Sequence, residues 1–347
     1  MATKLKEKKI TVHLPDGRTV RKSLYYRTPA ELAAKIQAAQ KEQRALATFG
    51  NCAEAWRESY FENIAHGTQM SYSPAVDRAI AEFGDMPLDK VQPRDLQDFY
   101  DSMVAQSYSR QTIHVQRLVI GLIFKFACIE YGLPANPNRE TSLPKKTPPP
   151  EKTPILEEDE TEKVVNGLSL PFGLFPFLLM YSGLRRGEAL ALTWGDIDLK
   201  TDRIHVTKAV EFVNNKSVLK DTKTSSGVRE VPIVAPLHDA LAEARHRAAS
   251  SAPVFPGDDG SLLSQKSYEW KWKTWCKQSG YTGNTRSLRH LFATYCFEAG
   301  ISAKDAQSLL GHSSIDMTMN VYTEIRQQRA ATQKATLDTF FAAGSSQ

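Results

Sequence analysis

The sequence predicts a multidomain chain, mainly α with small β-sheets. Three observations carry that expectation. The 347 residues are 41% hydrophobic and 24% charged, which is enough apolar material for more than one core. A proline- and lysine-rich stretch at 141–154 interrupts the chain near its middle. Apolar periodicity is helical before that stretch and mixed after it, where short extended runs stand among helices.

Near the N-terminus, Ile10, Val12 and Leu14 alternate with polar residues. Pro15-Asp16-Gly17 then offers turn chemistry, and Val20 and Leu24 follow in a second extended run. This reads as a β-hairpin. Thr28-Pro29-Ala30-Glu31 supplies a capping hydroxyl, a proline suited to the first helical position and an acid to close a capping box, so a helix should run to about Ala45. Residues 46–140 read as four or five helices without a strand. Ile113, Val119, Ile120, Ile123, Phe124 and Ala127 form a wide apolar stripe within Gln111–Tyr131, and Pro93-Arg94-Asp95 opens a helix carrying Leu96, Phe99 and Met103. Pro148-Pro149-Pro150 favours an extended, semi-rigid connection. Lys145 and Lys146 beside it are candidates to follow a phosphate backbone. Beyond it, helices are expected at about 157–167, 171–181 and 185–192, and strands at Arg203–Val206, Val210–Asn214 and Val228–Pro232. Helices resume at about 236–248 and continue to the end. The expected units are thus 1–45, 46–140, a linker at 141–154, and 155–347.

The formal net charge is +5, yet residues 1–50 hold eleven Lys and Arg against four acids. A basic end on a near-neutral body suits an anionic polymer or surface, although a solvated tail explains the charge equally well. Arg18, Arg21 and Lys22 lie on or beside the second expected strand, and a basic two-stranded ribbon fits the DNA major groove. Cys52, Cys128, Cys276 and Cys296 are scattered without CxxC spacing. That argues against a redox pair, a zinc motif or a disulfide framework, and for reduced thiols in a cytosolic protein. No apolar run approaches the ~18 residues of a membrane span, and no secretory signal is expected. P-loop, GxGxxG, HExxH and GxSxG motifs do not occur, which sets aside the enzyme classes they mark.

Five segments of the C-terminal half remain. In Tyr181-Ser182-Gly183-Leu184-Arg185-Arg186-Gly187-Glu188, Gly183 ends one helix and Arg185 begins the next. Glu188, three residues on, can hold Arg185 in one rotamer, as bidentate phosphate binding requires. Alone, such a pair is usually a surface salt bridge. Lys220-Asp221-Thr222-Lys223-Thr224-Ser225-Ser226-Gly227 is placed at a polar hairpin tip, from which an ammonium can reach a partner's backbone. Arg286-Ser287-Leu288-Arg289-His290 is the third segment. Leu309-Leu310-Gly311-His312-Ser313-Ser314 is the fourth; it closes a helix that starts on a Ser302/Asp305 box and ends at Gly311. Thr318-Met319-Asn320-Val321-Tyr322-Thr323 is the fifth.

In order and spacing these segments resemble the tyrosine recombinase (phage integrase) family. The family's TGLRxxE box is matched at 182–188, its hairpin lysine by Lys223, its HxLRH box at 286–290, its LGHSS box at 310–314 and its tyrosine box at 318–323. The match spans about 155–330. The helical region is similar to the family's core-binding domain, including Asn136-Pro137. The basic hairpin–helix is similar to the arm-type DNA-binding domain of integrases from phages and conjugative transposons, short by one strand.

The resemblance implies an α+β catalytic domain and a site-specific recombinase that integrates or excises mobile DNA, viral genomes included, without metal, ATP or other cofactor. It implies Tyr322 as the nucleophile, forming a 3′-phosphotyrosine, with Arg185 and Arg289 clamping the phosphate. Lys223 would protonate the departing 5′ oxygen, His312 would hydrogen-bond the phosphate, and Glu188 would support Arg185. The implied partners are double-stranded DNA attachment sites, a homotetramer on that DNA, and accessory directionality or DNA-bending proteins. No membrane is implied, and the implied location is the cytoplasm and nucleoid of a prokaryote.

Two departures stand out. Arg286 occupies the position where the family usually has histidine. Arginine cannot serve as a base near neutral pH, so it is carried over as a phosphate ligand only, and His290 is read as a structural histidine. The step from His312 to Tyr322 is ten residues, where many relatives have nine, and the extra residue is expected in a loop around Asp316-Met317. The apolar Leu337–Phe341 stretch is expected to dock on a neighbouring protomer. Arg286 also keeps open a catalytically impaired DNA-binding or architectural protein of the same fold. A type IB topoisomerase shares the chemistry, but the arm-like N-terminus and proline-rich linker favour recombination.

Overall fold

The computed structural model describes residues 5–13, 19–147, 149, 158–221, 227–245, 248–323 and 325–327. The chain divides into two compact units, Met1–Glu151 and Lys152–Gln347.

The first unit opens with an antiparallel hairpin of β1 (Lys6–His13) and β2 (Thr19–Tyr26). The helix α1 (Pro29–Leu46) follows where the capping residues place it. The Thr28 hydroxyl accepts from the Glu31 N–H at 3.1 Å, and the Glu31 carboxylate accepts from the Arg27 N–H at 2.8 Å. The reciprocal bond therefore falls one residue before the cap. Four further helices come next: α2 (Phe49–Phe61), α3 (His66–Phe83), α4 (Pro93–Ala105) and α5 (Arg110–Glu130). The predicted stripe of α5 is its buried face, packed with Phe49, Trp56, Phe83 and Tyr100 in one core. α5 is also long and apolar enough, by length and composition, to cross a membrane, which a search for unbroken apolar runs does not register. Its buried face explains much of that apolarity. After α5, Asn136 caps a short 3₁₀ turn at Pro137–Glu140 and donates to the Gly121 carbonyl at 2.9 Å.

The second unit begins with α6 (Glu158–Asn166), α7 (Leu174–Ser182) and α8 (Arg186–Ala191). α7 starts three residues later than the sequence suggests, because Phe172 takes a positive φ of 69° in the turn before it. Strands β3 (Ile197–Asp198), β4 (Arg203–Val206) and β7 (Arg229–Pro232) form one antiparallel sheet in the order β3-β4-β7. β5 (Lys208–Val213) and β6 (Lys216–Asp221) form a separate hairpin.

This corrects the sequence reading. The tip of that hairpin is Asn214-Asn215, both at positive φ, and not the Lys220–Gly227 segment. Asparagine tolerates the left-handed conformation that a two-residue hairpin needs. Lys220 lies within β6, opposite Ala209, and pairs with Glu211. The chain then continues through α9 (Ala235–Arg245), α10 (Gln265–Ser279), α11 (Thr285–Glu298) and α12 (Ala303–Leu310), followed by a helical segment at 315–323. α7 lies in the main core with α8, the β3-β4-β7 sheet and α10, and also packs on α11.

Candidate active site

The site forms where α8, β7, α11 and the end of α12 meet. Gly183 ends α7 in the left-handed region, φ 63°. A Cβ there would stand 2.3 Å from the Phe292 ring, so only glycine allows α7 to turn this close to α11. Arg185 then caps α8, and its N–H donates to Glu188 Oε2 at 2.8 Å. Gly187 lets α8 lie against β5, since a Cβ there would meet the Val210 carbonyl at 2.5 Å. The Arg186 guanidinium adds stacking on Phe212 and Tyr268, 5.7 and 5.4 Å from their ring centres.

Glu188 is buried, with 3% of its side chain exposed, so the Arg185 pair is not a surface salt bridge. Its Oε1 accepts from Arg185 Nη1 at 2.8 Å and from Arg229 Nη1 at 3.1 Å. Its Oε2 accepts from Arg229 Nη2 at 2.8 Å as well as from the Arg185 backbone. Burial works to raise this carboxyl, but the Arg229 and Arg185 contacts outweigh it and hold it below the usual range.

Three successive carbonyls at the end of α12 each accept from a different arginine. Arg229 Nε donates to Leu309 O at 2.7 Å, Arg289 Nη2 to Leu310 O at 2.6 Å, and Arg185 Nη2 to Gly311 O at 2.6 Å. The last carbonyls of a helix lack intrahelical partners and carry partial negative charge, which suits cations. Arg289 also donates to Gly183 O at 2.6 Å. Burial, then the neighbouring Arg185, lowers Arg289 to about 9, and it stays charged at neutral pH. Among the described residues, the cluster thus sets three guanidinium groups against one carboxylate. Its uncompensated positive charge calls for an anion.

His312 follows directly. Gly311, φ 65°, ends α12, and the His312 N–H closes back on Gln307 O at 3.1 Å. The His312 ring is buried, with Nδ1 2.8 Å from the hydroxyl of the fully buried Thr318. Burial, then Arg289, Arg185 and Arg229, lowers His312 to about 4 and keeps it neutral.

Tyr322 is elsewhere. It is buried in a satellite core with Phe292, Cys296 and Leu310, its ring edge-on to Phe297 at 5.0 Å, and its hydroxyl donates to Ile301 O at 3.1 Å. Ile301 precedes α12, whereas the arginines hold the carbonyls at its other end. At 1.5 Å per residue those ends are about 13 Å apart. A cavity of about 310 Å³ lies beside Tyr322, lined by Phe297, Ile301, Ala303 and Met319 among others. Burial raises the Tyr322 phenol above its ordinary value.

Comparison with known proteins places this arrangement. Residues 155–329 match the model of the phage integrase family, and residues 48–104 match its N-terminal SAM-like domain. The chain belongs to the phage integrase family of tyrosine recombinases. A XerC-like tyrosine recombinase of Caldanaerobacter subterraneus subsp. tengcongensis is 25% identical over 372 aligned positions, covering 94% of this chain and 93% of the relative. The ICEBs1 integrase of Bacillus subtilis is 25% identical over 250 positions, covering 68% and 67%. The fold is similar to the Tn1549 transposon integrase solved with a circular intermediate DNA, with a TM-score of 0.69 and 20% identity over 82% of this chain and 99% of that one. It is also similar to a lambda integrase dimer on a core site, with a TM-score of 0.62 and 17% identity over 84% and 80%.

In this tyrosine recombinase, Arg185, Glu188, Arg289 and His312 stand together, and Tyr322 stands apart from them. Arg286 is exposed on the first turn of α11, where Asn284 caps its N–H at 2.9 Å. His290 is buried on the same helix. Lys223 lies outside the described residues, as do Arg18 and the 337–341 segment. Lys145 and Lys146 are exposed in the first unit. Arg21 and Lys22 are both exposed but lie on opposite faces of the hairpin, since alternate residues of a strand face opposite ways. Asp316 and Met317 are helical, not looped, because the Ser314 hydroxyl accepts from the Asp316 N–H and starts the helix before them. Sequence reading missed Arg229 and Thr318, whose partners lie outside their own motifs or helical turn.

Proposed function

We propose that this recombinase cuts and rejoins double-stranded DNA at attachment sites to integrate or excise a mobile element, viral genomes included. The observation that carries the reading is the cluster of Arg185, Arg229 and Arg289 around the single carboxylate of Glu188, with neutral His312 beside it. Arg185 and Arg289 use some of their N–H groups on the scaffold and keep the rest for the non-bridging oxygens of one phosphate. Charge grows on those oxygens in the pentacoordinate transition state. In the tautomer in which Thr318 donates to Nδ1, the His312 ring presents Nε2–H to the same phosphate.

Tyr322 Oη attacks phosphorus and passes its proton to solvent water as the new O–P bond forms. The bond to the 5′ oxygen breaks, and Lys223 gives that oxygen a proton. Arg286, at the mouth of α11, adds a hydrogen bond and positive charge. The phosphotyrosine conserves the bond energy, so the partner strand's 5′-hydroxyl can reverse the attack without ATP or metal. Cleavage requires Tyr322 to leave Ile301 and reach the arginines. Two strands exchanged in each of two duplexes suit four protomers on DNA, with accessory directionality or DNA-bending proteins. The basic hairpin with Arg21 and Lys22, and the exposed Lys145 and Lys146, provide further contacts to phosphates.

A nicked suicide substrate tests this. The full chain should form a covalent DNA adduct that survives denaturation and is lost in Tyr322→Phe. DNA binding with no adduct from the parental protein would instead favour the architectural reading.

A further inference from the structure

Arg229 lies outside every family box, yet it is the most completely coordinated cation of the site. Its side chain is 6% exposed. Nε donates to Leu309 O at 2.7 Å, Nη2 to Glu188 Oε2 at 2.8 Å, and Nη1 to Glu188 Oε1 at 3.1 Å and Gly227 O at 3.3 Å. These contacts are all internal, whereas 43% of the Arg185 side chain is exposed and available to a ligand.

We propose that Arg229 is a positioning residue that locks the end of α12, and with it His312, to the carboxylate that orients Arg185. This rests on the phosphate-clamp reading above. The geometry supports it in three ways. First, His312 is three residues past Leu309 and has no strand or long helix of its own to hold it; its place is set by the α12 terminus and by Thr318. Second, Arg185 and Arg289 also hold that terminus, but they are the groups that must readjust when a phosphate binds. Arg229 makes the one link of the three that a bound phosphate need not disturb. Third, a planar fork is required. Nε faces one way to Leu309 while the Nη edge faces Glu188, and a lysine ammonium is a point charge that cannot present both edges. A displacement of about 1 Å at a reacting group costs on the order of 10²-fold in rate. Arg229 also contributes to the field that keeps His312 neutral.

Arg229→Lys and Arg229→Gln in the full chain separate geometry from charge. Both should slow single-turnover cleavage of the suicide substrate about 10²-fold, while affinity for core-site DNA stays within about twofold. The His312 imidazole, followed by NMR, should titrate at higher pH in Arg229→Gln and stay close to the parental midpoint in Arg229→Lys. A purely structural role would lower the melting temperature of Arg229→Lys without slowing its cleavage of the suicide substrate. If Arg229→Gln does not fold, Arg229→Lys still decides: cleavage at the parental rate overturns the proposal. If the parental protein forms no adduct, the recombinase reading fails by itself, and the His312 titration still tests Arg229. An unchanged midpoint in Arg229→Gln then overturns it.

Discussion

Glu188→Gln should destabilise the second unit far more than a typical carboxylate-to-amide change. The carboxylate accepts four hydrogen bonds between 2.8 and 3.1 Å from Arg185 and Arg229. A glutamine keeps the shape but turns an NH₂ group toward guanidinium donors. It also removes the one negative charge among three arginines, leaving buried Arg229 without a counter-ion. Breaking a buried pair by removing one partner costs about 3–5 kcal/mol. For a unit of this size, each kcal/mol lowers the melting temperature by roughly 2–4 °C. The expected fall is therefore roughly 10 °C, read by calorimetry on the full chain. Added sulfate should recover more of the loss in the variant than it adds to the parent, because the variant's cluster carries more unbalanced charge. A fall of less than about 2 °C would refute the view of Glu188 as the electrostatic hub.

Three further outcomes follow from the same geometry. Gly183→Ala must place a Cβ 2.3 Å from the Phe292 ring at φ 63°, and should cost about 2–4 kcal/mol by denaturant unfolding; a neutral result would mean that the α7–α8 turn is not held there. His312 is lowered from 6.5 to about 4, so below its ordinary value the unfolded chain takes up a proton that the folded chain refuses. Stability should therefore decline as pH falls from about 6.5 toward 4, by up to about 3 kcal/mol, and His312→Asn should flatten that part of the urea-midpoint profile; an unaltered slope would contradict the burial argument. Arg286→Ala should lower cleavage and Arg286→His should retain or raise it, whereas parental cleavage by Arg286→Ala would deny the residue any role at the phosphate.

What could be read from the sequence was local. Thr28, Ser302 and Gly311 mark helix ends because capping chemistry acts within one turn, and the structure places those ends accordingly. The apolar stripe of α5 appears because its period repeats along one helix. β6 was missed because Lys216-Ser217-Val218-Leu219-Lys220-Asp221 is largely polar and becomes a strand by pairing with β5. The signal that would have found it is Asn214-Asn215, a pair suited to a two-residue hairpin turn. Arg229 carried no local signal. Its partners Glu188 and Leu309 are 41 and 80 residues away, and only the closed fold brings them within hydrogen-bond reach.

The two halves of the proposed chemistry occupy opposite ends of α12, and their energies differ in kind. The cation cluster is assembled in advance: backbone carbonyls and Glu188 hold its three guanidinium groups together before any phosphate arrives. Tyr322, the proposed nucleophile, is held by the hydrogen bond to Ile301, by the ring contact with Phe297 and by burial among Phe292, Cys296 and Leu310. Together these amount to on the order of 4 kcal/mol that DNA contacts must supply to release it. His312 spans the two parts, since its ring meets Thr318 one helical turn before Tyr322. A shift of the tyrosine helix toward the clamp must therefore move or break the His312–Thr318 contact. The histidine proposed to grip the phosphate is thus tied to the proposed movement of the tyrosine.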